Sequence, residues 1–247
     1  MHILQPAAYE EQIRSLIDIW RFDGYMPDGR SSNYNGRVQG GSNADNVLAD
    51  AFVKGVRGAV NWQDGYDAMV KDAEVTPPND PVDPMAKDSS TKEGRGALPD
   101  WIKLGYITPK FSRAVSRAVE YACNDFALYQ VASGLGLEDD AEKYLSRSRN
   151  WINHWNPKQK SLGFEGFVVP RDEKGFKSTN PVKDTGYWAD PYYQANSWAY
   201  SLTSVHDMQY IIDLAGGEDA MLKRLNKMFT DGTSGSHGMI FDPTNEP

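Results

Sequence analysis

The 247-residue chain carries 34 acidic and 26 basic residues, which give a formal net charge of -8 at pH 7. This charge disfavours binding to the phosphates of nucleic acid and to anionic membrane surfaces, so neither class of partner is expected. Hydrophobic residues make up 40 % of the chain, which is enough for a sizeable core in one large domain or two small ones.

The N-terminal part of the chain repeats apolar residues at helical spacing. This pattern predicts a first helix over residues 9–21, a second that begins at Asn43 or Asp45 and ends at Gly58, and a third over residues 62–75. Between the first two helices the chain is rich in Gly, Asn and Ser, which predicts a long polar loop. The second and third helices follow each other closely and are expected to form a hairpin.

Further helices are predicted after a polar segment. Residues 76–100 are rich in Pro, Asp and Ser and are expected to form a surface excursion rather than a domain boundary. Helical spacing then returns at residues 112–133, 138–155, 206–215 and 218–229. The short alternating stretch LGFEGFVVP is almost the only strand signal.

Helices in antiparallel pairs, joined by long loops and with few strands, predict an all-α toroid or solenoid. The residues show no fixed repeat period, and the ankyrin and tetratricopeptide signatures are absent. A barrel of unequal helix pairs is therefore favoured, with loops that build a site at one end.

The common catalytic motifs are absent from the sequence. There is no G-x-S-x-G segment, GLGLE lacks the third glycine of a dinucleotide loop, and the four histidines never form H-E-x-x-H. The single cysteine, Cys123, has no partner for a disulfide or a zinc site and is expected to be buried and inert. No apolar run approaches the ~20 residues that a membrane helix needs.

Polar clusters at helix ends remain as candidate functional residues. Asp45 and Asp50 surround a predicted helix start, where they would either bind a ligand or serve as a cap and a solvated face. Arg95 would clamp a hydroxyl or carboxylate with its planar guanidinium, or lie in solvent. His206 and Asp207 open a helix, either as a capping arrangement or as a catalytic pair.

The C-terminal segment FDPTNEP offers hard oxygen donors from Asp242, Asn245 and Glu246. Calcium prefers ligands of this type, although acidic turns rich in proline also occur without any metal. Aromatic residues make up 12 % of the chain, and several lie beside Gly, Asn and Asp rather than inside apolar runs. This composition suits hydroxyl-rich ligands such as sugars.

Together these clusters resemble, in chain order, the helical domain of the α-mannosidases of glycoside hydrolase family 92. The resemblance spans nearly the whole chain. The matching segments are PDGR…QGGSNADNVLADAFVKGV, GRGALPDWIKLGYI, AVSRAVEYACNDFALYQVASGLG, YLSRSRNWINHW, NSWAYSLTSVHDMQYIIDLAGG and DPTNEP.

The resemblance implies a calcium-dependent, inverting, exo-acting hydrolase of α-linked mannose, built from an N-terminal β-sandwich and an (α/α)6 barrel with the site between them. Residues 1–247 are then expected to be a partial (α/α)6 catalytic domain, with the sandwich and the C-terminal part of the barrel outside this chain. We expect the full-length protein to be secreted or extracellular, and its partner to be a mannose-containing glycan or mannosyl-phosphate glycan.

The resemblance also implies a metal site and a sugar contact. Asn245 and Glu246 match the family's N-E-P segment, which supplies ligands to Ca²⁺. Asp50 and Arg95 match positions near the bound mannose, more loosely because the loop lengths differ.

Trp198, His206 and Asp207 match the W-x-Y and H-D segments that line the family's pocket. The family's catalytic base is an aspartate in a D-x-D segment beyond N-E-P, which this chain does not include. The isolated chain is therefore expected to have no useful activity.

The residue four positions before the tryptophan of W-x-Y is, in the family's commonest form, a glutamate that acts as the general acid. Here it is Gln194, an amide that cannot deliver a proton at neutral pH. For an ordinary glycosidic bond the leaving alkoxide is a strong base, and general acid catalysis is worth roughly 10²–10⁴-fold. An enzyme of that kind would be severely impaired by this replacement.

A phosphate leaving group changes this expectation, because its second pKa is about 6 and it departs as a stable anion. A carboxylate about 4 Å from that phosphate would cost ~4 kcal/mol at an effective dielectric constant of 20, whereas glutamine removes the repulsion. Some family members with glutamine here act on mannose-1-phospho-6-mannose caps. The sequence therefore predicts hydrolysis of mannose-1-phosphate diesters, with Gln194 orienting the phosphate.

Two alternatives stay open. One is an ordinary α-1,2-mannosidase in which another acid, Glu165 or Asp190, replaces Gln194. The other is a mannan-binding relative that keeps the aromatic residues and the calcium site but catalyses nothing.

Overall fold

The computed structural model describes residues 2–28, 30–31, 34–35, 38–78, 94–183, 189–230 and 232. Within these ranges the chain forms nine α-helices, two 3-10 helices and three antiparallel strand pairs. The α-helices are α1 Pro6–Asp23, α2 Asn43–Val53, α3 Trp62–Glu74, α4 Leu98–Leu104, α5 Ala114–Gly134, α6 Glu138–Arg147, α7 Ser197–Tyr200, α8 Met208–Leu214 and α9 Glu218–Met228.

The remaining elements are short. The 3-10 helices are Ser148–His154 and Val205–Asp207, and the strands are β1 Arg30–Ser31, β2 Tyr34–Asn35, β3 Trp155–Ser161, β4 Phe164–Val168, β5 Arg171–Asp172 and β6 Gly175–Phe176. Consecutive strands pair with each other as β1-β2, β3-β4 and β5-β6. The three sheets are therefore local hairpins attached to a helical body.

The long helix α5 runs through the middle of this body. Fourteen of its 21 residues are buried, many of them alanines whose small side chains let neighbouring helices approach closely. Its C-terminal half packs with α1, α2, α3 and α6 in a first core, which includes Leu48, Met69 and Leu128. Its N-terminal half packs with α4, α8 and α9 in a second core around Trp101 and Trp151. Helix α5 therefore contributes side chains to both cores and connects them.

Most of the predicted helices are confirmed within the described residues. The predictions over 9–21, 62–75, 112–133 and 218–229 correspond to α1, α3, α5 and α9. Helix α4 was not predicted, although Pro99 in its first turn and Gly105 in a left-handed conformation after its last residue are standard helix boundary signals.

The prediction of one helix over 138–155 is wrong. Helix α6 ends at Arg147, a 3-10 helix follows, and Trp155 already belongs to strand β3. Trp155 pairs with Val168 across the β3-β4 hairpin. On β4, Gly166 has φ +84°, and a Cβ there would lie 2.4 Å from the Trp155 ring. This close approach favours a hairpin over a longer helix. The residues that make it, such as Gly166, come after the stretch with helical spacing, so the spacing itself does not reveal it.

The helical class is confirmed, and the expectation of almost no strands is corrected by the three hairpins. The arrangement of the helices as part of an (α/α)6 barrel stays a prediction. Among the described helices, none combines the length and the apolar character that crossing a membrane would require.

Candidate active site

The loop that carries Gln194 is fixed to the N-terminus of α5. The backbone N–H of Arg113 donates to the Asp190 carbonyl at 2.7 Å, and that of Val115 donates to the Pro191 carbonyl at 3.0 Å. The backbone N–H of Tyr193 in turn donates to Ser116 Oγ at 2.8 Å. Donors at a helix N-terminus have no partner within the helix, so the loop supplies acceptors for them and gains a defined position.

Gln194 occupies a left-handed backbone conformation, with φ +53°. Residues other than glycine rarely adopt this conformation, and such positions persist only where the surroundings impose them. The neighbouring tyrosines provide this constraint, since Tyr192 and Tyr193 are buried and the Tyr200 hydroxyl donates to the Tyr193 carbonyl at 3.1 Å. The Gln194 side chain is half-buried at the end of this constrained segment.

Trp198 follows on the short helix α7, which is capped by Asn196. The Asn196 side-chain oxygen accepts the Ala199 backbone N–H at 3.0 Å. Only 1 % of Trp198 is exposed, because its ring packs against Phe164 and Phe167 and its indole N–H donates to Ser161 Oγ at 2.9 Å. Trp198 therefore joins α7 to the β3-β4 hairpin, and its predicted role in lining a sugar pocket stays a prediction.

A half-buried pair of carboxyl groups, Asp28 and Glu120, lies next to this loop. Asn43 Nδ2 donates to Asp28 Oδ1 at 2.6 Å and to Glu120 Oε2 at 3.4 Å, so one amide bridges the two groups. The Gly41 backbone N–H also donates to Glu120 Oε2 at 2.6 Å, and the Gln39 backbone N–H donates to Asp28 Oδ2 at 2.7 Å. We refer to these two residues as the Asp28–Glu120 pair.

The Asp28–Glu120 pair is connected to the Gln194 loop through Gln39. The Gln39 side-chain amide donates to the Tyr193 hydroxyl at 3.4 Å, and Tyr193 directly precedes Gln194. Burial, followed by repulsion from Asp28, raises the pKa of Glu120 to about 7, and burial also raises the pKa of Asp28. A carboxyl group with a pKa near 7 is present in both protonation states at neutral pH, as a general acid or base requires.

Sequence patterns did not indicate the Asp28–Glu120 pair. The consecutive glycines Gly40 and Gly41 are the one local sign of this contact. A Cβ at Gly40 would lie 2.0 Å from Glu120 Oε1, so only glycine leaves room for the carboxyl group. A double glycine before a helix thus indicates a close approach by another segment, but it does not identify that segment. Glu120 lies 79 residues from Gly41 in the chain.

The structure places Arg95 in the protein interior. Its Nη2 donates to Asp45 Oδ2 at 2.7 Å and its Nη1 to Asp125 Oδ1 at 2.6 Å, and all three side chains have no exposed surface. Asp125 also accepts from Arg147 Nε at 2.7 Å and from the Trp101 indole at 2.8 Å. Arg95 therefore clamps carboxylates of the chain itself, and its predicted contact with mannose stays a prediction.

Asp50 lies on the exposed surface of α2. It forms an ion pair with Lys54 at 2.6 Å and accepts a hydrogen bond from the Tyr9 hydroxyl at 3.3 Å. This geometry fits the solvated helix face that the sequence allowed as the alternative. No described contact joins Asp50 to the Gln194 loop, so its proximity to a sugar stays a prediction.

His206 and Asp207 bind different parts of the protein rather than each other. Nε2 of His206 lies 3.0 Å from the Ser148 carbonyl and Nδ1 lies 3.5 Å from Cys123 Sγ, while Asp207 accepts from the Trp151 indole at 3.1 Å. Burial lowers the pKa of His206, so the neutral form is favoured. Cys123 is half-buried rather than fully buried, and desolvation of its thiol raises the pKa to about 12, in agreement with an inert cysteine.

The two carboxylates named as possible replacement acids occupy different environments. Glu165 is exposed on β4 and forms an ion pair with Lys160 at 2.6 Å. Asp190 is half-buried in the Gln194 loop, where its backbone carbonyl binds the N-terminus of α5. Of the two, only Asp190 belongs to the same loop as Gln194.

The predicted calcium ligands Asn245 and Glu246 lie outside the described residues. In the described ranges, no group of three or more His, Cys, Asp or Glu side chains is arranged to hold a metal ion. The amide and carboxylate oxygens of Asn245 and Glu246 are of the type that Ca²⁺ binds. The calcium site therefore stays a prediction supported by donor chemistry.

Comparison with known proteins identifies similar sequences and folds. The model of the glycosyl hydrolase family 92 catalytic domain matches residues 1–247. An uncharacterized secreted glycosidase from Arthroderma benhamiae is 35 % identical over 242 residues, which are 88 % of this chain and 30 % of that protein.

Two solved structures from Bacteroides thetaiotaomicron share the fold. The inverting family 92 mannosidase BT2199 is 27 % identical, with a TM-score of 0.76 over 94 % of this chain and 29 % of that one. The family 92 α-mannosidase BT3965, in complex with mannoimidazole, is 25 % identical, with a TM-score of 0.72 over 91 % of this chain and 27 % of that one. The chain thus spans about 30 % of the length of these relatives.

Proposed function

Because the chain belongs to glycosyl hydrolase family 92, we propose that it forms part of the catalytic domain of an exo-acting enzyme that releases α-linked mannose. The mannosidase relatives support this substrate class, and we extend the proposal to an (α/α)6 barrel completed by the rest of the domain. We also propose that the enzyme is secreted, as the name of the fungal relative says of that protein.

The finer proposal is supported by the amide of Gln194, which the sequence resemblance matches to the position of the family's acid. The loop around it is held by the N-terminus of α5 and by buried tyrosines, so the amide is presented from a fixed backbone. A side-chain amide donates hydrogen bonds but no proton. We therefore propose mannose-1-phosphate diesters as substrates, because their phosphate leaves as a stable anion without protonation.

In this reaction water attacks the anomeric carbon, the bond from that carbon to the phosphate oxygen breaks, and the configuration inverts. The Gln194 amide donates to a phosphate oxygen and orients the leaving group. An aspartate in the rest of the domain takes the proton of the attacking water. Asn245 and Glu246 would hold Ca²⁺, which would bind sugar hydroxyl oxygens as further ligands and supply positive charge next to the sugar.

The charge of the surrounding groups is compatible with an anionic substrate. Burial keeps a fraction of Glu120 protonated at neutral pH, so the Asp28–Glu120 pair carries less than two full negative charges. Arg113, whose Nε donates to the Gln39 carbonyl at 2.8 Å, adds a positive charge to the same region. Both effects reduce repulsion of a phosphate near Gln194.

A second candidate function follows from Glu120. Its pKa of about 7 and its connection through Asn43, Asp28 and Gln39 to Tyr193 make it a candidate acid next to the Gln194 loop. If Glu120 protonates the leaving oxygen, the enzyme is an ordinary α-mannosidase despite the amide at position 194. A mannan-binding protein without activity is the remaining alternative.

The test uses a polypeptide that carries the whole catalytic domain. Cleavage of a mannose-1-phosphate diester and of α-1,2-mannobiose is measured for the unmodified enzyme, for Gln194→Glu and for Glu120→Gln. We expect the unmodified enzyme to prefer the diester. Gln194→Glu should lower diester cleavage about tenfold or more, because like charges a few ångströms apart repel, and should raise cleavage of mannobiose.

The variants separate the alternatives. If the unmodified enzyme cleaves mannobiose at least as well as the diester, and Glu120→Gln reduces that activity about 10²–10⁴-fold, Glu120 is the acid and the diester proposal is wrong. Removing calcium with a chelator should abolish turnover in either enzyme. Binding of mannan without cleavage of either substrate would identify a non-catalytic relative.

A further inference from the structure

A groove with a volume of about 670 Å³ lies between the C-terminal end of α1 and the outer face of α3. Trp20 and Val70 are half-buried, pack against the first core and form its base. Residues of α3 at intervals of three and four share one face of that helix and line one side of the groove. Four charged residues line the groove: Arg21 of α1, and Asp67, Lys71 and Glu74 of α3.

This groove, the Trp20 groove, is separate from the Gln194 loop. Glu74 is linked to α5 by Arg147, which donates to Glu74 at 3.0 Å and to Asp125 at 2.7 Å. The Gln194 loop instead contacts α5 at Ser116. The two attachment points are nine residues apart on one helix, which corresponds to roughly 14 Å at 1.5 Å per residue.

The polar groups of the groove are held in place and keep free capacity for hydrogen bonds. Glu74 Oε1 binds Arg147, Lys143 and the Tyr144 hydroxyl, and Asp67 Oδ1 accepts from Gln63 at 3.0 Å. Each carboxylate has a second oxygen that can accept from a ligand.

Lys71 Nζ lies 5.1 Å from the centre of the Tyr25 ring and forms no ion pair with any carboxylate in the described ranges. Its ammonium group therefore has donors left for a ligand. The Trp20 indole N–H likewise makes no hydrogen bond to another described residue and is not enclosed.

The charges indicate which ligand the groove accepts. Arg21 is already paired with Asp18 and Asp64, and Glu74 with Lys143 and Arg147. The charges left to face a ligand are those of Lys71 and Asp67, one of each sign, and they sum to zero. An anionic or cationic ligand gains little net attraction from such a lining. A neutral ligand with many hydroxyl groups uses both the donors and the acceptors, and a flat apolar ring face packs against an indole.

We propose that the Trp20 groove is a second carbohydrate-binding site, which takes a short neutral oligosaccharide with one sugar ring stacked on Trp20 and its hydroxyls bound by Asp67, Lys71 and Glu74. The groove volume falls within the range of roughly 300–1,000 Å³ that small-molecule sites occupy. This site requires no catalytic residue, so it does not depend on the proposed reaction.

The experiment is a calorimetric titration, with linear α-1,6-mannotriose, of a polypeptide that carries the whole catalytic domain, in the presence of a chelator so that no turnover occurs. We expect binding that Trp20→Ala weakens at least tenfold and that Asp67→Ala weakens several-fold. Asp67 is exposed and outside the core, so its variant tests the groove even if Trp20→Ala perturbs the fold. Lys54→Ala, which removes an exposed charge just after the last residue of α2, is the matched control and should bind as the unmodified protein does.

A Gln194→Ala variant distinguishes the groove from the candidate active site. Retention of mannotriose binding in this variant, with loss in the two groove variants, supports the proposal. Loss of binding in Gln194→Ala, with unchanged binding in Trp20→Ala and Asp67→Ala, would place the sugar at the Gln194 loop and overturn it. Absence of mannotriose binding to the unmodified protein would also overturn it.

Discussion

The surroundings of Arg95 and of Gln194 each contain a carboxyl group of α5, Asp125 and Glu120 respectively, but the partners of these groups differ. Around Arg95 the carboxylates of Asp45 and Asp125 face guanidinium groups and are closed to solvent. Next to the Gln194 loop, the Asp28–Glu120 pair is half-buried and accepts hydrogen bonds from a neutral side-chain amide and from backbone N–H groups.

This difference in partners decides which carboxyl groups remain able to exchange protons. Burial alone would raise the pKa of Asp125, but Arg147 and Arg95 outweigh it and lower that pKa, which favours the ionised form. Glu120 has neutral donors and a second carboxyl group nearby, and its pKa rises to about 7. A guanidinium partner alone does not keep a carboxyl group ionised, because burial raises the pKa of Asp45 to about 7 even beside Arg95. A buried ion pair thus stabilises a carboxylate only when cations outweigh desolvation.

The largest effect is expected from removing the cation that the buried cluster shares. Arg95→Met leaves Asp45 without its guanidinium partner and removes one of the two that bind Asp125. Breaking a buried pair in this way costs about 3–5 kcal/mol in the free energy of unfolding, measured by urea denaturation.

The control for this measurement is Lys54→Ala, which breaks the half-exposed pair with Asp50. Surface pairs contribute about 0–1 kcal/mol, so this variant should unfold almost as the unmodified chain does. Equal losses of stability in the two variants would show that burial does not strengthen the ion pairs of Arg95.

An intermediate and pH-dependent effect is expected at Glu120. Its pKa is raised in the folded state, so its favourable contribution is complete below the ordinary pKa of 4.5 and is lost as the pH rises through about 7. Glu120→Gln keeps the size and an acceptor but cannot ionise. The variant should match the unmodified chain at pH 4 and be more stable by about 1–3 kcal/mol at pH 8.

Urea denaturation of both proteins from pH 4 to pH 8 measures this difference, and titrating groups remote from Glu120 contribute equally to both and cancel. A difference in stability that stays constant over this range would mean that Glu120 is not forced to ionise in an unfavourable environment. In that case it would also lose its main support as an acid.

The smallest effect is expected at the cap of α7. Asn196→Ala removes the acceptor for the Ala199 N–H, and loss of such a cap costs about 0.5–2 kcal/mol. Asn196→Asp keeps an acceptor oxygen and should retain most of the stability. If the aspartate variant is destabilised as much as the alanine variant, the capping hydrogen bond is not what holds the segment after Gln194.

Helical spacing in the sequence predicted some elements of the fold correctly, whereas others depend on contacts between distant residues. Helical spacing predicted α1, α3, α5 and α9 correctly, because each helix buries a stripe of its own residues. The same spacing failed after Arg147, where Trp155 enters a hairpin through contacts with Gly166 and Val168. The ordered segments also indicated the family, which the full-length match of the family model confirms.

The sequence by itself determined the helical class, the family and the amide at position 194, because these depend on local periodicity and on residue identity. Only the tertiary structure decided which polar residues are enclosed and which are left open. Arg95 meets carboxylates 50 and 30 residues away, and Glu120 meets a backbone N–H 79 residues away. Whether a carboxyl group stays ionised depends on such distant partners and on burial, neither of which local pattern contains.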